Sequence, residues 1–207
     1  MNRLISFEGV DGSGKSTQIS MLCRNFDKIG IDYLSVREPG STEISEMIRD
    51  ILLDKKNHGL GSETESLLFM AARAQITHEV IEPALKSGKF VICDRFIDST
   101  IAYQGYGRGL DISFLTSMNQ YATRHILPEL TFIIDVDTNT STRRRNSLNS
   151  DRMESGGDEF LSKIIDGYRK IAESHTRFHL VDGTNPPQKI FEFIWSIVKN
   201  TFGEIHA

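Results

Sequence analysis

Gly9-Val10-Asp11-Gly12-Ser13-Gly14-Lys15-Ser16 stands directly behind the apolar run Arg3-Leu-Ile-Ser-Phe7 and directly ahead of a helical pattern. The octet fits the spacing Gly-x-x-x-x-Gly-Lys-Ser in full. Glycines let successive backbone N–H groups turn inward around phosphate oxygens, where larger residues would be strained. The helix that follows adds the positive end of its dipole. Lys15 is expected to reach the β- and γ-phosphates of ATP, and the Ser16 hydroxyl to bind magnesium. The ATP-binding stretch then runs through Gly9, Val10, Asp11, Gly12, Ser13, Gly14, Lys15, Ser16 and Thr17.

Outward from this loop the same alternation repeats. Tyr33–Val36, Phe90–Cys93, Leu130–Ile134 and Phe178–Val181 join Arg3–Phe7 as short, nearly continuous apolar runs. Such runs suit strands buried on both faces of a parallel sheet. Between them, Ile19, Leu22, Cys23, Phe26 and Ile29 form a helical stripe stopped by Gly30. Ser62 with Glu65 gives a capping-box signal for a long helix through Ala71, and Pro83 is expected to kink or restart that helix. Pro186 and Pro187 precede a last helix carrying Ile190, Ile194, Ile197 and Val198. The expected fold is a three-layer α/β domain over residues 1–207, with a five-stranded parallel sheet and ligands at its carboxyl edge.

Composition narrows the function. A hydrophobic share of 39%, a charged share of 25% and a net charge of −4 suit a soluble globular protein without a nucleic-acid partner. No signal pattern and no apolar run of about 20 residues appears, so no membrane partner is expected. Cys23 and Cys93 sit in apolar patterns and read as reduced core residues of a cytoplasmic protein. A GTPase would carry a late Asn-Lys-x-Asp motif, which this chain lacks, and a helicase or motor would be larger.

The other half of the site reads from strand ends. Asp94-Arg95-Phe96 follows the third apolar run; a carboxylate there can hold the water shell of magnesium, and an arginine can fork onto phosphate. Asp135, also at a strand end, is a rival acidic residue without an adjacent arginine. Arg37-Glu38-Pro39-Gly40 reads as a turn that presents another arginine to the same edge. Phe69 and Arg73 are four residues apart on a helix and share a face.

Together with Phe7-Glu8-Gly9, Leu68-Phe69…Arg73 and Ser99-Thr-Ile-Ala-Tyr-Gln-Gly105, these elements resemble the thymidylate kinase family from Ile5 to about Asp182. The resemblance implies transfer of the γ-phosphoryl of ATP to dTMP, with Mg2+, in a homodimer. It implies that Phe69 stacks on thymine, that Arg73 donates to an exocyclic oxygen of the base, and that Thr100 and Gln104 complete the base edge. Tyr103 would crowd the position of a ribose 2′-hydroxyl, and Asp11 would accept from the 3′-hydroxyl. Arg37 and Arg95 would hold the acceptor phosphate, with Asp94 near magnesium. Ser41 stands where the family usually has a second glycine.

Arg143-Arg144-Arg145 and Arg152 flank a polar stretch that reads as a basic lid over residues 143–157. One subgroup of the family carries an arginine inside the phosphate loop. Gly12 and Ser13 bring no such charge here, which aligns the chain with the other subgroup, in which Arg144 or Arg152 would supply the transition-state cation alongside Lys15 and Arg95.

Overall fold

Neighbouring strand residues point to opposite faces, so the apolar runs should split into two cores. They do. In the computed structural model, which describes residues 2–145, 152–203 and 205, Ile5, Phe7, Phe90, Ile92, Phe132 and Ile134 share one buried cluster with helical Ile19, Leu22, Phe26, Ile190, Ile194 and Val198. Their alternates go the other way: Val91 and Cys93 meet Ile76 and Ile81, while Ile133 meets Ile164, Ile165 and Tyr168.

The strands are β1 (Leu4–Glu8), β2 (Tyr33–Arg37), β3 (Phe90–Asp94), β4 (Leu130–Asp135) and β5 (Phe178–Asp182). They form one five-stranded sheet in the order β2-β3-β1-β4-β5, every pairing parallel. The register sets Phe7 of β1 and Arg37 of β2 opposite Asp94 of β3. All carboxyl ends therefore meet along one edge, with β1 and its phosphate loop central.

Helices α1 (Lys15–Ile29) and α9 (Pro187–Thr201) cover the first face. Gly30 ends α1 in the left-handed conformation at φ 70°, and Pro187 opens α9 at its first turn. Across the sheet and its carboxyl edge lie α2 (Glu43–Leu53), α3 (Ser62–Ile76), α4 (Glu82–Lys86), α5 (Ile97–Thr100), α6 (Ile112–Ala122), α7 (Thr138–Arg145) and α8 (Gly157–Ala172). Pro83 restarts the chain as expected: α3 passes through a π-helical turn, Thr77–Ile81, into α4.

One expectation is corrected. Gly61, not Ser62, caps α3, and no side chain closes that end. The helix also runs beyond Ala71 to Ile76. Glu65 turns inward and is fully buried, because charged partners from distant segments claim its carboxylate. Of the expected lid, residues 146–151 lie outside the described residues; Arg143–Arg145 close α7, and Arg152 precedes a short 3-10 turn, Met153–Gly156.

Candidate functional site

The turn after β1 needs glycine for two reasons. Gly9 and Gly12 have φ of 132° and 78°, and a Cβ on either would lie 2.5 Å from the Ile134 carbonyl or 2.8 Å from that of Ser141. Backbone at those distances cannot step aside. Within the loop, Lys15 is buried and its Nζ donates to the carbonyls of Gly9 at 3.0 Å and Val10 at 3.1 Å. Burial, and then the Arg95 guanidinium, lower its pKa, against the attraction of Asp11, Asp94 and Glu8. Ser16 Oγ donates to Asp94 Oδ2 at 3.3 Å. One hydroxyl and one carboxylate together fit an ion that keeps waters and phosphate oxygens for its other ligands. No cluster of three or more His, Cys, Asp or Glu suited to a metal exists among the described residues.

A cavity over this loop is lined by Asp11 through Gln18 with Arg144, Gly183, Asn185, Pro187 and Ile190. Asp137 caps the start of α7 through the Thr140 N–H at 2.6 Å, and Ser141 Oγ donates to the Asp11 carbonyl at 2.7 Å. This seats α7 on the loop. Arg144 Nη1 then donates to the carbonyls of Gly12 and Ser13, both at 3.3 Å, and of Gly183 at 3.1 Å.

A second cavity gathers Asp11, Arg37, Phe69, Arg73, Asp94, Arg95, Thr100, Tyr103 and Gln104, every residue expected on the acceptor side. It shares Asp11, Lys15 and Ser16 with the first. The segment carrying Tyr103 and Gln104 is π-helical, Ile101–Gly107, a local widening frequent at functional sites. Arg95 sits at φ 72°, a left-handed conformation costly for arginine. Its backbone N–H donates to the Phe7 carbonyl at 3.0 Å, its Nη2 meets Asp11 Oδ1 at 2.5 Å and its Nη1 meets the Gly9 carbonyl at 2.9 Å. Arg37 is half-exposed and paired to Glu46 at 2.8 Å.

Arg73 is 2% exposed and fully engaged. Its Nε donates to Glu38 Oε2 at 2.8 Å, its Nη1 to Thr100 Oγ1 at 2.7 Å and to Asn119 Oδ1 at 2.6 Å. Its Nη2 donates to the Phe96 carbonyl at 3.0 Å and stands 2.7 Å from Glu38 Oε2. A bound base would have to exchange with one of these partners.

Three acids were not legible as site residues. Glu8, buried beneath Arg95, accepts from the Phe96 N–H at 2.8 Å, Ser99 Oγ at 2.5 Å and the Tyr168 hydroxyl at 3.0 Å. Burial, and then Asp98, raise its pKa to about 7, against Ser99, Arg95 and the Phe96 N–H. Glu38 lines the acceptor cavity, and its buried Oε1 has no partner among the described residues. Burial raises its pKa too, with Arg73 opposing. Glu65 holds Arg152 Nη2 at 2.7 Å, Arg108 Nη2 at 3.2 Å and Gln104 Nε2 at 2.9 Å. Arg152, expected alongside Arg144 as a candidate transition-state cation, has its guanidinium buried on Glu65 here, with Nε donating to the Leu52 carbonyl at 2.6 Å, and it lines neither cavity. Asp135, the rival metal residue, is paired to Arg169 at 3.1 Å and lines neither cavity.

Comparison with known proteins gives a consistent picture. The family model described as thymidylate kinase matches residues 7–194. A thymidylate kinase of Thermosipho africanus is 44% identical over 195 residues, covering 94% of this chain and 96% of its own. One from Kosmotoga olearia is 45% identical over 190 residues, with 91% of each chain covered. The crystal structure of thymidylate kinase from Ehrlichia chaffeensis superposes with a TM-score of 0.78 at 36% identity, over 95% of this chain and 97% of that one.

Proposed function

Because the chain belongs to the thymidylate kinase family, we propose that its joined cavities divide the work of one phosphoryl transfer between them. The chain is a phosphotransferase with ATP and dTMP as substrates, giving ADP and dTDP. The loop cavity takes the ATP polyphosphate, and the cavity lined by Phe69, Thr100, Tyr103 and Gln104 takes dTMP. The observation that carries this division is the meeting of the cavities at Asp11, Lys15 and Ser16.

The acceptor is itself a phosphate, whose second pKa of about 6 leaves it largely ionised at neutral pH. No strong general base is required. Catalysis reduces to alignment and charge neutralisation. Arg95, braced by Asp11 and the Gly9 carbonyl, and Arg37 hold the acceptor phosphate, and Lys15 leaves its carbonyl partners for the polyphosphate. Ser16 and Asp94 would hold Mg2+, which supplies positive charge to the phosphates when bound. Thymine stacks on Phe69, with Thr100, Gln104 and an Arg73 N–H released from a protein partner at its edge. Tyr103 closes the sugar end, and Asp11 accepts from the 3′-hydroxyl.

The loop lacks an internal arginine, and Arg144 of α7 occupies the space beside Gly12. A Cβ on Gly12 would come within 3.2 Å of Arg144 Cβ. This supports Arg144 as the cation for the transferring phosphoryl, and the subgroup whose loop carries none. Arg152 could serve only after leaving Glu65.

Homodimer formation and a cytoplasmic setting complete the reading. α2, α3 and α6 expose Met47, Leu67, Phe114 and Tyr121, and Leu67 and Tyr121 line one shallow groove between α3 and α6, an apolar surface suited to a second copy. Cys23 and Cys93 are free, and no helix of the described residues is long and apolar enough to cross a membrane.

ADP release, measured with saturating ATP and a panel of nucleoside monophosphates, tests the substrate reading. dTMP should give the highest kcat/KM. Faster turnover of uridylate or adenylate would reassign the acceptor cavity.

A further inference from the structure

Gln104 is 1% exposed, so the direction in which its amide points is set by its protein neighbours. Its nitrogen donates to Glu65 Oε1 at 2.9 Å, and its oxygen has no donor among the described residues while the side chain lines the acceptor cavity. An amide can be reversed at no covalent cost. What forbids reversal here is the neighbour. Glu65 is fully buried, and both its oxygens are claimed by donors: Oε1 also receives Arg108 Nε at 3.3 Å, and Oε2 receives Arg108 Nη2 and Arg152 Nη2. A carboxylate between two guanidiniums can only accept. Turning the Gln104 oxygen toward it would oppose two acceptors in a dry site, a costly arrangement.

We propose that Glu65 is a specificity-determining positioning residue: by fixing the Gln104 amide with its oxygen toward the cavity, it selects a base that presents a ring N–H. This inference rests on the reading of that cavity as the dTMP site. Thymine and uracil carry a proton on N3 and can donate to the oxygen. Cytosine carries a lone pair there and meets acceptor with acceptor. Phe69 can stack on either kind of pyrimidine, whereas the Glu65–Gln104 pair tests the protonation of one ring nitrogen. Arg108 and Arg152 act one step further out, holding Glu65 as a pure acceptor.

The discriminating substitution is Glu65→Gln. Arg108 and Arg152 would keep the remaining oxygen, so the new NH2 group would face Gln104 and force its amide to reverse. The kcat/KM ratio of dTMP to dCMP should then fall by about tenfold or more, the worth of one well-formed hydrogen bond, chiefly through a higher KM for dTMP. The dTMP to dUMP ratio should stay unchanged, since both bases carry the N3 proton. Glu65→Asp, still an acceptor only, should retain the dTMP to dCMP preference whatever it loses in stability. A Glu65→Gln enzyme with lower kcat and melting temperature but an unaltered dTMP to dCMP ratio would reduce Glu65 to a structural ion pair. A wild-type enzyme without preference for dTMP over dCMP would instead overturn the reading of the cavity. If Glu65→Gln does not fold, NMR of the labelled wild-type protein with dTMP decides. The Gln104 NH2 protons should stay protected from exchange and show no contact to the base, and contact between them would overturn the proposal.

Discussion

Single residues at the sheet edge carry chemistry that composition hides, and Glu8 is the sharpest case. It is fully buried, with a pKa raised from 4.5 to about 7 by burial and then by Asp98. The folded state therefore binds this proton more tightly than the unfolded chain does. The stability it contributes is fully present below pH 4.5 and is lost as pH rises toward 7, by on the order of 3 kcal/mol. Thermal melts of wild type should fall across that window, and Glu8→Gln should flatten the fall. Parallel melting profiles for the two proteins would acquit Glu8. Ser41 offers a second test. It adopts φ 70°, a conformation suited to glycine, yet its Oγ accepts from the Arg37 N–H at 2.9 Å and donates to the Arg37 carbonyl at 3.1 Å. Ser41→Gly relieves strain of about 1 kcal/mol but releases this clasp. Melting temperature should change little while KM for dTMP rises severalfold; an unchanged KM would show that the clasp does not position Arg37.

At the scale of elements, what the sequence made legible follows from how local each cause is. β1, β3 and β4 could be located because strands covered on both faces must be apolar throughout. The edge strands β2 and β5, partly exposed, kept shorter apolar runs, and the phosphate loop was legible because its glycines answer to local backbone geometry. The start of α3 was misread for the opposite reason. Ser62 and Glu65 look like a cap, but Glu65 is taken by Gln104, Arg108 and Arg152, residues that no window along the chain brings near it. The Glu8–Tyr168 contact joins positions 160 apart, equally invisible locally. The same distinction separates the two basic elements. α7 rests on the loop through Ser141 and brings Arg144 to Gly12, whereas Arg152 is drawn to Glu65. Arg144→Ala should therefore lower kcat by about 10³-fold, in the range known for arginines acting on a transferring phosphoryl, with little change in melting temperature. Arg152→Ala should do the reverse, lowering melting temperature because it strips one partner from a buried carboxylate. Steady-state kinetics and melts of the two variants, run together, would expose an exchange of these roles.

For the whole molecule, α3 has two duties that face opposite ways. Its inner side presents Phe69 and Arg73 to the site and Glu65 to Gln104, while Leu67 on its outer side is 54% exposed. Flanking it, Met47 of α2 is 63% exposed, and Phe114 and Tyr121 of α6 are 60% and 87% exposed. Leu67 and Tyr121 share one groove between α3 and α6, and large apolar side chains gathered in this way differ from single exposed ones. A homodimer through this face would bury the patch and clamp α3 from behind, so that assembly supports the geometry of base recognition. Leu67→Glu with Tyr121→Glu places like charges opposite their symmetry mates in such an interface. Sedimentation should show a dimer for wild type and a monomer for the double variant, with circular dichroism unchanged. The monomer should retain ATP binding, since the loop cavity is built from the phosphate loop, α1, α7 and the segment entering α9, but its KM for dTMP should rise by about tenfold as α3 loses its support. A wild-type protein that sediments as a monomer at micromolar concentration would refute the dimer. A monomeric variant with an unchanged KM would show instead that α3 holds its inner face without help from a partner.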